Sequence, residues 1–173
     1  MNPRDNWKID KKWSDKFLPE ICAILGFYLI GEPQPEEDAE RNTDLTVLRM
    51  ESIRIAVRVR RYDAYLKWPD QFTIRKGRPS GTKTELTKIL EGWGRYFFYG
   101  FSDEKERHLI HWTLADLNVF RLRFNQLILK TGKMPGLSQE NTDGSSQFQS
   151  FFWKNFPDEF VIGSHDHFVS PFQ

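Results

Sequence analysis

The chain has one cysteine, Cys22, among its 173 residues. A lone thiol excludes an intramolecular disulfide and any multi-cysteine zinc site. The residue spacing puts Cys22 on the apolar face of a helix, where a buried thiol is usually inert. Stretches of 18 or more apolar residues are missing, which removes a spanning helix; the longest apolar run, Ile21 to Ile30, is interrupted by Gly26. The segment Gly77 to Gly81 is glycine-poor and lacks the Gly-Lys-Ser/Thr end of a phosphate-cradling loop. There is no Gly-x-Ser-x-Gly nucleophile elbow, no internal repeat and no low-complexity tract. Met1 to Lys16 is polar and carries both signs of charge, unlike a secretion signal, so the expectation is a soluble, cytoplasmic protein.

What is present suits a folded chain. Hydrophobic residues make up 39% and charged residues 28%, a balance that excludes disordered and collagen-like classes. Aromatics reach 15%, carried mainly by 15 Phe and 6 Trp. The length predicts one domain over residues 1–173, with a loose tail from about residue 163. Net charge is only +1, yet the charges are segregated. Glu32, Glu36, Glu37, Asp38, Glu40 and Asp44 form an acidic block, and Arg49, Arg54, Arg58, Arg60 and Arg61 a basic one directly after it. A local basic face, rather than the sum, is what a phosphate partner meets; the two blocks can equally neutralise each other across a hairpin.

Periodicity predicts a helix over 15–30, capped by Ser14 or Asp15, with Phe17, Ile21, Ile24 and Leu25 at helical spacing. A hairpin follows, Asp44 to Met50 and Ile53 to Arg61. In its second strand Ile53, Ile55, Val57 and Val59 share one face and Arg54, Ala56, Arg58 and Arg60 the other. Phe72 to Arg75 reads as a short strand. A capping box of Thr82 and Glu85 then opens a helix that ends at Gly92 and Gly94. Arg95 to Phe101 and His108 to Thr113 read as strands, Asp116 to Lys130 as a helix, and Lys130 to Ser146 as loop. Phe148 to Ile162 fits either a strand or a short helix. This order predicts an α/β (α+β) class with a central mixed sheet flanked by helices.

Few residues offer chemistry. His165 and His167, or His108 and His111, give two imidazoles, and two ligands do not close a metal site. Tyr96 to Phe101 suits a strand buried on both faces better than a base-stacking platform, for which Tyr65 and Trp68 are the better candidates. Arg54, Arg58 and Arg60, with Arg75 and Arg78 following, suit a phosphate-binding surface. The same arginines also suit a sheet face paired with Glu36, Glu37 and Asp38.

Asp44 before a hairpin, with long side chains at i and i+2 on the return strand and Glu20 on the helix upstream, resembles the PD-(D/E)XK nuclease superfamily. The resemblance extends to Thr43-Asp44-Leu45, Ile55-Ala56-Val57-Arg58-Val59-Arg60, Gly92 to Gly100, Trp112 to Leu117 and Asp143-Gly144-Ser145-Ser146, which look like small nuclease-like proteins of phages and bacterial genomes. It implies a restriction-endonuclease-like core in the order helix, three strands, helix, strand. It also implies Asp44 as a Mg²⁺ ligand and Arg60 in the place of the catalytic Lys. Arg58 stands where the second acid belongs, so Glu20 or Glu85 would have to supply the missing carboxylate. Three functions follow from it. One is a metal-dependent endonuclease or exonuclease using Asp44, Arg60, Glu85 and Glu20. Another is a nucleic-acid binder, of DNA rather than RNA, acting through Arg54, Arg58, Arg60, Arg75 and Arg78. The third is an inactive protein-interaction module, such as a phage inhibitor or accessory factor. Dimers are common in the superfamily, so a homodimer is expected, although no stripe in the sequence marks an interface.

Overall fold

The computed structural model describes residues 3–31, 46–47, 54–79, 81–141, 144 and 146–165; of residues 3–8, 27–31 and 46–47 only the backbone is described. The chain divides into two compact units, Met1–Ile53 and Arg54–Gln173. No helix among the described residues is long and apolar enough to cross a membrane.

The first unit opens with helix α1 (Pro3–Asp15), followed by α2 (Leu18–Leu29), β1 (Ile30–Gly31) and β2 (Thr46–Val47). Phe17, Ile21 and Ile24 are buried, as their spacing requires, whereas Cys22 is exposed and so lies off the buried stripe. The polar N-terminal segment is helical from Pro3 to Asp15. Lys11 pairs with Asp15 one turn on at 2.6 Å, and the Trp13 ring meets Phe17 edge-on at 5.3 Å. Ser14 and Asp15 therefore end α1 and do not cap α2. β1 and β2 pair antiparallel, Ile30 with Val47. The turn expected at Glu51-Ser52 lies outside the described residues.

In chain order the second unit runs β3 (Ile55–Arg60), α3 (Tyr62–Lys67), β4 (Gln71–Gly77), α4 (Glu85–Leu90), β5 (Tyr96–Ser102), β6 (Leu109–Asp116), α5 (Leu117–Thr131), β7 (Leu137–Glu140), β8 (Gln147–Phe152) and β9 (Val161–Ser164). The class is α+β. Instead of one central sheet there are two: a mixed four-stranded sheet in the order β3-β5-β6-β9 and an antiparallel three-stranded sheet in the order β4-β8-β7. Among the described residues only β3 and β5 run parallel; β6 and β9 continue the first sheet antiparallel. Gly163 and Ser164, read as the start of a loose tail, belong to β9.

Local chemistry explains the elements. The Asp116 carboxylate accepts the Asn118 N–H at 2.6 Å and opens α5, whose Leu117, Phe120 and Phe124 face inward; Gly132, at φ 65°, closes it. β7 is an edge strand exposed along its whole length, so no alternation marks it within the segment read as loop. Gly136 leads into it at φ 86°, and a side chain there would meet the Ser150 carbonyl oxygen at 2.5 Å.

The core is built from rings. Phe72, fully buried on β4, meets Phe97 and Tyr99 of β5, Phe120 of α5, Phe151 of β8, and Trp153, Phe156 and Phe160 at centroid distances between 4.3 and 6.4 Å. The Phe72→Ala variant is expected to lose about 3–5 kcal/mol in urea unfolding. Leu129→Ala, at a side chain 85% exposed, should stay within about 0.5 kcal/mol of the parent. Equal losses would show that the core is not organised around Phe72.

Candidate functional site

The register of β3 on β5 decides where its arginines point. Ala56 lies opposite Phe97, Arg58 opposite Tyr99 and Arg60 opposite Phe101, so the arginines share a face with core aromatics. The Ile55, Val57 and Val59 row takes the other face. Arg58 and Arg60 are half-buried, while Val57 is exposed. The arginine face is therefore not an open, solvated one, and the other row is covered in part, since Val59 is buried.

Arg58 is neutralised where it sits. Its Nη1 donates to Glu85 Oε2 at 2.8 Å, and the same oxygen accepts the Arg75 backbone N–H at 3.1 Å. The Arg58 guanidinium lies 4.9 Å from the Phe148 ring centroid, with that of Arg75 at 5.7 Å. Phe148 is the cross-strand partner of Arg75 in the β4–β8 ladder. Glu85 therefore joins β3, β4 and the start of α4. The capping box of Thr82 and Glu85 does not form: Thr84 is the N-cap, and Glu85 turns toward the strands.

Arg60 is treated differently. Its Nη1 donates to Thr73 Oγ1 at 2.8 Å, and that hydroxyl lies 3.3 Å from the Tyr99 hydroxyl. These partners are neutral, and no carboxylate among the described residues pairs with Arg60. Arg60, Thr73 and Tyr99 border a recess of about 30 Å³ together with Trp68, Gln71 and Gln139, room for a water molecule but not for a base. A larger cavity, of about 220 Å³ between Leu127, Gly136, Phe151 and Phe156, is lined by apolar residues and Asn155 and has no charged side chain to hold a phosphate.

The other expected site residues scatter. Arg54 is exposed and lies over the Trp93 ring at 5.2 Å, roughly 20 Å along the strand from Arg60 at about 3.3 Å per residue. Arg78 is exposed in the turn after β4, which runs back beside β3 and carries it away from Arg60. Glu20 lies in the first turn of α2 in the N-terminal unit. Asp44, and the acidic partners Glu36, Glu37 and Asp38 suggested for the arginines, lie outside the described residues. Tyr65 packs on Phe101 at 5.4 Å and on His111 at 5.8 Å, which makes it part of the core's margin rather than a free stacking surface.

The described residues do not fit a magnesium site. No three His, Cys, Asp or Glu among them stand close enough to hold a metal ion, and Glu85 already answers a guanidinium and an amide. The sequence reading missed Thr73, Tyr99, Phe148 and Gln139. Their roles arise from contacts between segments distant in sequence, and no local pattern signals them. Compared with protein-family models, curated proteins and solved structures, the chain matches none.

The Arg58–Glu85 pair is 14% and 24% exposed, against 66% and 39% for Lys83–Glu91. Glu85→Ala leaves a half-buried guanidinium and the Arg75 N–H without their acceptor, and is expected to cost about 2–3 kcal/mol in thermal or urea unfolding. Glu91→Ala should cost less than about 1 kcal/mol. A neutral Glu85→Ala would free that carboxylate for a role other than holding Arg58.

Proposed function

We propose that this protein binds nucleic acid on a nuclease-like core in which Arg58 stands at the position of the second metal-ligating acid. The observation that carries the reading is Arg60, a cation that donates to the neutral Thr73 hydroxyl, lines a small recess and has no carboxylate partner among the described residues. A guanidinium fixed in this way keeps its remaining N–H donors for phosphate oxygens and pays little ordering entropy when it binds.

The element order departs from that core: α2 is followed by four strands, β1 to β4, with α3 inserted between β3 and β4, and β2, β3 and β4 lie in three different sheets. What supports the nuclease-like reading is Glu85, since an acid from the helix after the strands does reach Arg58 on β3. There it meets a guanidinium fixed to the chain, so the charge that a nuclease-like site takes from a metal is supplied here by Arg58. No cleavage step follows from this arrangement, and binding is the activity the residues support.

The test is fluorescence anisotropy with labelled DNA and RNA, in EDTA and in Mg²⁺, at several salt concentrations. Binding should persist in EDTA and weaken with salt. Arg60→Glu should lower affinity at least about tenfold, and Arg60→Ala should flatten the salt slope by about one unit. Unchanged affinity in both variants would remove Arg60 from the interface. Absence of binding by the parent protein would overturn the reading and direct the search to a protein partner.

A further inference from the structure

We infer that the bound strand is single, with an unpaired base laid on the indole of Trp68. This rests on the nucleic-acid reading above and adds the class of ligand.

Trp68 forms the C-cap of α3, and its backbone is tied on both sides. Its N–H donates to the Ala64 carbonyl at 2.9 Å, and its own carbonyl accepts the Gln71 N–H at 3.3 Å. The side chain nevertheless stays 45% exposed in a unit whose other rings mostly pack on one another. The indole borders the same recess as Arg60. Lys67 Nζ stands 5.8 Å from its centroid and has no ion-pair partner among the described residues. Gln71 and Gln139 line the recess as well, which holds no more than a water, and each amide offers both a donor and an acceptor through which that water can bridge to a base edge or a sugar.

Ring face, cation and amide next to one another are the parts that single-strand recognition uses. In a duplex both faces of each internal base are covered by its stacked neighbours, and an indole anchored on a helix end cannot reach them. Trp93 is the other widely exposed indole of this unit, at 56%, and it carries the Arg54 guanidinium over its ring much as Trp68 carries Lys67, but only Trp68 borders the recess that Arg60 lines. Asp63 and Asp70 are exposed on the same segment as Trp68, so few phosphates are held here and the base contact must supply part of the affinity.

The experiment compares anisotropy of a single-stranded DNA of about 12 nucleotides, its duplex, a single-stranded RNA of equal length, and a single strand carrying abasic sites. Each is titrated in EDTA with the parent, Trp68→Ala, Trp68→Phe and Arg60→Glu. Single strands should bind at least about tenfold tighter than the duplex, and Trp68→Ala should lose about tenfold on single strands only. Trp68→Phe should retain most of the affinity, and the abasic strand should mimic the loss without any change to the protein. Two results would overturn the inference while sparing the nucleic-acid reading: duplex bound as tightly as single strand, or abasic and intact strands bound alike while Arg60→Glu still loses binding. No binding of any polymer by the parent would overturn both.

Discussion

A guanidinium on the inward row of a strand must be answered by neighbours, because its charge is costly to remove from water. In β3 the alternation that turns Ala56 toward Phe97 also turns Arg58 toward Tyr99 and Arg60 toward Phe101. The strand cannot bury Ala56 in this core without bringing both arginines with it. The neighbouring elements answer them in two ways. Arg58 receives a carboxylate and the face of an aromatic ring; Arg60 receives two hydroxyls in series. One charge is cancelled and the other is only oriented.

The same contacts set the architecture around the strand. Glu85 accepts from Arg58 on β3 and from the backbone of β4 while standing in the first turn of α4, so one carboxylate fixes the meeting of three elements. Phe148 extends the junction into the second sheet by lying under both guanidiniums. The Arg60–Thr73–Tyr99 chain stitches β3, β4 and β5 one step further along. One set of polar groups between the two sheets, next to the ring cluster centred on Phe72, thus holds the junction together and carries the cation of the proposed site.

Much of the fold was legible because its elements are locally consistent. Asp116 as a cap, Leu117, Phe120 and Phe124 as a stripe, and the aromatic run Tyr96 to Tyr99 of β5 each point to one structure. Two kinds of feature were not legible. Helix α1 is polar overall, so its amphipathic pattern is carried mainly by charged residues rather than by an apolar stripe, and β7 is exposed along its whole length and has no alternation to reveal it. The arginine positions were readable but their direction was not. Alternation says that Arg58 and Arg60 share a face; only the β3–β5 register says that this face is the core. For the same reason Glu85 read as a cap. Its partner lies 27 residues away on another element, and nothing near Glu85 in the sequence points to it.

A net charge of +1 gives the proposed polyanionic ligand little long-range attraction, so its binding would rest on locally placed cations. Lys11 with Asp15, Arg58 with Glu85, Arg61 with Glu106, Lys83 with Glu91 and Arg95 with Asp116 cancel in place. Lack of a partner is not itself what singles out Arg60, since an exposed lysine on a mobile stem has none either. Such a lysine must give up side-chain freedom to hold a phosphate, at up to about 2 kcal/mol, which offsets most of what the contact returns. Arg60 has already lost that freedom through its bond to Thr73 and its half-buried position, and it remains charged. Held charge beside an anchored ring is therefore the feature that separates this corner of the molecule from the rest of its mixed surface.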